Sequence, residues 1–255
     1  MTHIALLIPA FNEEAGIALT AQVAREALQQ ELVHSVHVLD GGSTDRTAEI
    51  AGSFGVEVQH IPSVLTHLGP VLGKGDSLYR GTRTINADWY VFLDADLGNI
   101  SVEHIRSLVQ PIGTPGIHFI KGGFVRVDEN GVPRDIPAGR VSELVGRPLL
   151  RRAALPFAGL KQPLSGQVAI RGSLAQKIEF VTGYGIEIAM LIDVFREVGV
   201  EGVVEADMGF INNRWKPVEA LDDVRDQVLA GASLRVTTLP DFGIVTHEMV
   251  TNREN

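Results

Sequence analysis

Positions 4–8 form an unbroken aliphatic run, Ile4, Ala5, Leu6, Leu7 and Ile8. A strand without polar alternation is expected to be buried on both faces. The run stops at Pro9-Ala10-Phe11-Asn12-Glu13-Glu14, where Asn12 has the side chain of a helix cap and the two glutamates suit a first turn. Ile17, Leu19, Val23, Ala27 and Leu28 then recur at helical spacing. A second strand is expected over 36–39, a helix over 44–53, a short strand over 56–58 and a loop over 61–74. A helix over 75–86 and a fourth strand over 90–93 follow. Strands alternating with helices in this way predict a parallel sheet with right-handed crossovers, whose ligands collect at the carboxyl ends of the strands.

Beyond residue 100 the pattern loosens. Helices are expected over 102–110, 140–153, 185–197 and 217–231. Strands are expected over 117–120, continuing past Lys121, and over 203–205. Residues 128–138 read as a turn-rich loop and the last twenty as a tail. No internal repeat interrupts the chain, so one compact α/β domain is expected of its 255 residues.

Composition removes several classes. Hydrophobic residues make up 45% and charged residues 21%, the balance of a folded globular chain. With no cysteine, thiol catalysis, disulfides and cysteine-held metals are excluded. A formal net charge of -9 argues against nucleic acid as a partner and requires local cations or a metal wherever an anion binds. No apolar run approaches a bilayer span and no secretory signal is visible, so no membrane partner and a cytoplasmic location are expected.

The candidate chemistry sits at the strand ends. Asp94-Ala95-Asp96 follows the fourth strand. Two carboxylates so close repel each other unless a cation intervenes, and hard oxygens suit magnesium or manganese, which leave positions for phosphate. The same residues also read as a polar turn ahead of a helix capped at Asn99 or Ser101. Asp40-Gly41-Gly42-Ser43-Thr44-Asp45 ends the second strand; Asp40 fits a ribose or base, whereas Thr44 and Asp45 fit a helix start. Gly73-Lys74-Gly75 puts an accessible cation at a helix N-terminus, a place for phosphate or a plain surface turn. Gly139-Arg140-Val141-Ser142 opens a helix with cations suited to an anion, Arg140 first among them, while Arg151 and Arg152 suit the helix C-terminus. Glu187 lies in the first turn of an apolar helix, either as a dipole-favoured surface residue or as a carboxylate aimed into a pocket. Of the histidines, only His67 and His247 remain candidates for a site.

In their order, the motifs PAFNEE, LDGGSTD, GKGDSLYRG, LDADL, GRVSELVGRPLL, QPLSGQ and GYGIEIAMLIDV resemble the GT-A glycosyltransferases, and within them the retaining glucosyl-3-phosphoglycerate synthases. The resemblance runs from Pro9 to about Pro217 and implies a mostly parallel central sheet flanked by helices. A donor-binding half is expected over 1–100 and an acceptor-binding half over 101–255. By resemblance, Pro9, Ala10, Glu13, Asp40, Gly41, Lys74, Asp94 and Ala95 hold the nucleoside diphosphate. Leu164, Ser165, Tyr184 and Glu187 surround the donor sugar, and Gly139, Arg140 and Ser142 hold the acceptor's anionic end. Glu187 and Asp94 are the catalytic candidates. Asp96 is the expected ligand of a magnesium or manganese ion, with Asn213 beside it. The family places a histidine where Asn213 stands, and a glutamate where Gln167 stands.

The implied reaction moves glucose from a nucleoside diphosphate sugar, UDP-glucose by resemblance, to a small anionic acceptor such as 3-phosphoglycerate, in a homodimer. Two rivals are an inverting polyprenyl-phosphate glycosyltransferase, which calls for an acceptor-side aspartate base, and a non-catalytic nucleotide-sugar binding protein, suggested by the missing histidine. A nucleotidyltransferase requires an N-terminal glycine-rich phosphate loop that the sequence lacks.

Overall fold

The computed structural model describes residues 2–136, 139–153, 155–212 and 219–235. Seven strands form one sheet: β1 (Ile4–Ala10), β2 (Ser35–Asp40), β3 (Glu57–His60), β4 (Trp89–Phe92), β5 (Phe119–Arg126), β6 (Val168–Arg171) and β7 (Val203–Ile211). Their order across the sheet is β3-β2-β1-β4-β6-β5-β7. β6 pairs antiparallel with β4 on one side and β5 on the other, and every other pairing is parallel. The expected mostly parallel sheet is present, and it continues across residue 100 without a break.

The aliphatic run of β1 is divided between two cores. Ile4, Leu6 and Ile8 face helices α1 (Ile17–Gln29), α2 (Thr47–Ser53) and α4 (Val102–Val109). Ala5 and Leu7 face the opposite layer, built from α3 (Lys74–Thr84), α5 (Arg147–Arg152), α6 (Gly172–Ala175), α7 (Ile186–Val198) and α8 (Glu219–Ser233). Leu6, Leu7 and Ile8 are fully buried, and burial of each contributes roughly 2 kcal/mol. A polar substitution at any of them would strike one of the two cores.

Three expectations need correction, and one element is refined. Asn12 does not cap α1, which starts at Ile17 behind Gly16. Asn12 takes a left-handed φ of 54°, which asparagine tolerates, and its Oδ1 accepts the Thr44 N–H at 2.8 Å, tying the β1 exit to the β2 exit. The helix expected over 140–153 is present over 140–152, with a π-turn at Ser142–Gly146 leading straight into α5. Pro148 has no N–H for the carbonyl of Leu144, which prevents a regular α-helix there. The strand expected over 203–205 extends to Ile211. Finally, β6 was not expected at all: its four residues follow the Pro163–Gln167 turn.

At the α4 start, Ser101 caps the helix reciprocally with His104, so that part of the structural reading of the region after Asp96 holds.

Candidate active site

The carboxyl ends of β1, β2, β4 and β5 lie along one edge of the sheet, as do the residues that lead into β6. Asp94 follows β4 by two residues. Its Oδ1 accepts from Lys74 Nζ at 2.5 Å, and its Oδ2 accepts from Gln167 Nε2 at 2.7 Å. Lys74, the first residue of α3, also donates to Glu187 Oε1 at 2.7 Å. A single ammonium therefore bridges a carboxylate from the end of β4 and another from the first turn of α7. Burial alone would lower the Lys74 amine, but the two carboxylates reverse that and hold it above the ordinary lysine range. Burial likewise works to raise Asp94, and Lys74 with Gln167 outweighs it, so Asp94 titrates below the usual carboxylate range.

The turn before β6 closes this cluster. Ser165 Oγ donates to Gln167 Oε1 at 2.7 Å and accepts the Gln167 N–H at 3.0 Å, fixing the amide so that its nitrogen faces Asp94. Between them Gly166 has no room for a side chain: a Cβ there would stand 2.3 Å from Lys74 Nζ and 2.5 Å from Asp94 Oδ1. Beneath the turn, Lys121 on β5 is fully buried and donates to the Ser165 carbonyl at 2.6 Å. Leu164 is half-buried against Gly146 of the π-turn.

The β1 and β2 exits are laced together. Glu13 N donates to Thr47 Oγ1 at 2.7 Å, Asn12 N to Ser43 Oγ at 3.0 Å, and Gly41 N to the Ala10 carbonyl at 2.9 Å. Asp40 is buried; it accepts the Ser43 N–H at 3.1 Å and faces His60 Nδ1 at 3.3 Å. Phe11 projects into solvent above this pair of loops, while Pro9 is half-buried beside them. Ala95 is buried where the Asp94-Ala95-Asp96 turn packs on α1, its carbonyl accepting from Thr20 Oγ1 at 3.1 Å.

The loop 61–73 that delivers Lys74 is held from beneath. Arg80, fully buried on α3, donates to the carbonyls of Val64 and Gly69 and pairs with Asp76. At position 75 a Cβ would stand 1.7 Å from the Val181 carbonyl oxygen, so only glycine lets α3 begin this close to the segment ahead of α7. Sequence reasoning missed Arg80 and Lys121. Lys121 is a charge in an otherwise apolar strand, and that was the available signal; Arg80 sits in a polar helix beside Asp76 and Arg83, which gave none.

The acceptor-side candidates lie at the start of the π-turn. Gly139 has a φ of 82°, Arg140 is half-buried and Ser142 is buried. Arg147 serves as a clamp: it pairs with Glu143 at 2.8 Å and donates to the carbonyls of Ala158 and Leu160. Tyr184 is exposed, its N–H held by Gln227 Oε1 at 2.7 Å. His67 is exposed on the 61–73 loop.

Asp96 is half-buried on the same turn as Asp94. Among the described residues no three or more His, Asp or Glu side chains gather as a complete metal cage. Asn213 and His247 lie outside the described residues. The described chain before that gap ends at Asn212, whose carbonyl accepts the N–H of Gly98, two residues past Asp96. Both oxygens of Asp94 are engaged by Lys74 and Gln167. One hard carboxylate completed by phosphate and water oxygens fits magnesium or manganese. Among the described residues no helix is long and apolar enough to cross a membrane.

Comparison with known proteins agrees with this geometry. The family model for glycosyl transferase family 2 matches residues 5–158. The glucosyl-3-phosphoglycerate synthase of Mycobacterium tuberculosis is 34% identical over 246 residues, covering 94% of this chain and 75% of the relative. Its crystal structure with Mn2+, uridine diphosphate and glucosyl-3-phosphoglycerate superposes with a TM-score of 0.84, at 34% identity, over 95% of this chain and 82% of that one. The mannosyl-3-phosphoglycerate synthase of Rubrobacter xylanophilus superposes with a TM-score of 0.86 at 26% identity, over 98% of this chain and 80% of that one. Two polar strand exits, a lysine-bridged carboxylate pair and a tight glycine turn before β6 thus occur in a chain that belongs to glycosyl transferase family 2 and, within it, to the glucosyl-3-phosphoglycerate synthases.

Proposed function

We propose that this chain transfers glucose from UDP-glucose to 3-phosphoglycerate with retention at the anomeric carbon. The observation that carries the reading is the Lys74 bridge between Asp94 and Glu187 at the ligand edge of the sheet. Pro9, Ala10, Glu13, Asp40 and Gly41 would receive the uridine on the 1–100 half. Gly139, Arg140 and Ser142 would receive the acceptor on the 101–255 half.

Asp96, with Asn213 beside it, would hold Mg2+ or Mn2+, which when bound neutralises charge on the departing diphosphate. Lys74 is permanently charged and sits at the N-terminal end of α3, where it faces the same leaving group. Asp94, kept ionised, fixes Lys74 in place. Glu187 lies on the other side of the ammonium, placed to stabilise positive charge developing at the anomeric carbon. Its pairing to Lys74 restrains it from acting as a nucleophile, so the acceptor hydroxyl attacks on the face the diphosphate leaves and passes its proton to the departing phosphate oxygen. Leu164, Ser165 and Tyr184 would border the sugar, and Gln167 orients Asp94 from beneath it.

The test is a donor-by-acceptor screen read by release of nucleoside diphosphate, followed by NMR of the product's anomeric proton. UDP-glucose with 3-phosphoglycerate and Mn2+ should give an α-linked product. GDP-mannose belongs in the same screen because the mannosyl enzyme shares the fold so closely. A β-linked product would favour the inverting rival, and no turnover with any divalent ion would favour a binding protein. The resemblance further supports a cytoplasmic homodimer, which sedimentation would test directly.

A further inference from the structure

Arg126 ends β5. Because β4 and β5 both run antiparallel to β6, Arg126 lies at the same edge of the sheet as Asp94 and Asp96. Its guanidinium stands 5.8 Å over the Phe124 ring. Gly139, the first residue of the acceptor motif, rests directly on it: a Cβ at 139 would come 3.0 Å from Nε and 3.3 Å from Cζ. The Nε is buried and finds no hydrogen-bond acceptor among the described residues. Burial works to lower this guanidinium, while the fields of Asp94 and Asp96 work against that without either carboxylate closing an ion pair on it among the described residues. Arg80 and Arg147, by contrast, are committed: Arg80 to carbonyls and Asp76, Arg147 to carbonyls and Glu143. A guanidinium left with idle donors in a partly dry place is costly, and its planar fork matches a carboxylate.

We propose that Arg126 binds the carboxylate of the acceptor. This rests on the acceptor reading above. A phosphorylated hydroxy acid carries two anionic groups; the Gly139-Arg140-Ser142 turn would receive the phosphate, and Arg126 beneath it receives the carboxylate. Arg126 is then a specificity-determining contact: it separates 3-phosphoglycerate from compounds that have the same phosphate but no acid.

The test is calorimetric titration of the full chain, loaded with Mn2+ and UDP, with 3-phosphoglycerate and with glycerol 3-phosphate, which lacks the carboxylate. In Arg126→Gln the affinity for 3-phosphoglycerate should fall about 10- to 100-fold, the range for a charge-assisted contact. Affinity for glycerol 3-phosphate should stay within about twofold on the same scale. Equal losses for both ligands, or no loss for either, overturn the inference. If the glutamine variant does not fold by thermal melting, Arg126→Lys is compared in the same way; it keeps the charge but loses the fork, and the loss must again be confined to 3-phosphoglycerate. Wild-type protein that binds neither compound overturns the acceptor reading itself, and this inference with it.

Discussion

Replacing Lys121 with methionine removes one amine from beneath the Ser165 turn and changes little volume. Lys121 is 1% exposed, and burial pushes its amine down to about 7. Glu187, Asp94 and Glu205 pull it up while Lys74 adds to the depression, so its charge state measures whether dehydration or the carboxylates prevail. Unfolded, the amine titrates near the ordinary lysine value of about 10.4. Between those two values the unfolded chain carries a proton the folded chain does not, so folding stability rises with pH. From pH 6 to pH 9 the gain integrates to about 3 kcal/mol. Lys121→Met has no such dependence; its loss of the donor to the Ser165 carbonyl costs a roughly constant 1–3 kcal/mol. The difference in stability, wild type minus variant, should therefore widen by about 3 kcal/mol over that range. Urea denaturation followed by circular dichroism at four or five pH values measures it, and groups such as His37 and His104, common to both proteins, cancel. A difference that stays flat would mean the amine remains charged throughout and that the carboxylates, not burial, decide its state.

Three further outcomes are expected. Gly166→Ala drives a methyl into the Lys74–Asp94 pair and should lower kcat on the order of 10²-fold, read by steady-state kinetics beside an unchanged far-UV spectrum. Wild-type turnover in that variant would mean the pair is not part of the chemistry. Glu187→Gln keeps the shape and removes the charge that faces Lys74; kcat should drop at least about tenfold with the donor KM nearly unchanged. Full turnover removes the role given to Glu187. Asn213→His, which restores the residue usual in the family, should lower the Mn2+ concentration needed for half-maximal rate, and an unaltered metal titration would detach position 213 from the metal.

The first half of the fold was legible because β1, β2 and β4 are largely buried and show in the sequence as short hydrophobic runs, aliphatic in β1 and aromatic in β4. The second half was not. β7 lies at the sheet edge and mixes buried Met208 with exposed Phe210, so its hydrophobic signal fades after three residues. β6 is only four residues long and sits between a proline-glycine turn and a one-turn helix. At the site, the motifs named the groups that the structure brings together around Lys74: Asp94, Glu187 and the Ser165 turn. Their mutual geometry depends on pairings more than a hundred residues apart, such as Lys74 with Glu187, which no local spacing encodes. Lys121, Arg80 and Arg126 passed unnoticed as partners of the site because a charge within a strand or helix reads as a surface position.

The reversed strand β6 acts as a seam in this enzyme. The residues proposed to grip the nucleotide arrive at the ligand edge after leaving a strand, whereas the Leu164–Gln167 turn arrives there by entering one. A substitution in that turn can therefore reshape the space for a hexose while the loops after β1 and β2 keep their own lacing intact. A glucosyl and a mannosyl synthase that both superpose on this chain above 0.8, at 34% and 26% identity, are what such a seam would permit: one inherited frame, with the sugar rewritten from a single short entrance.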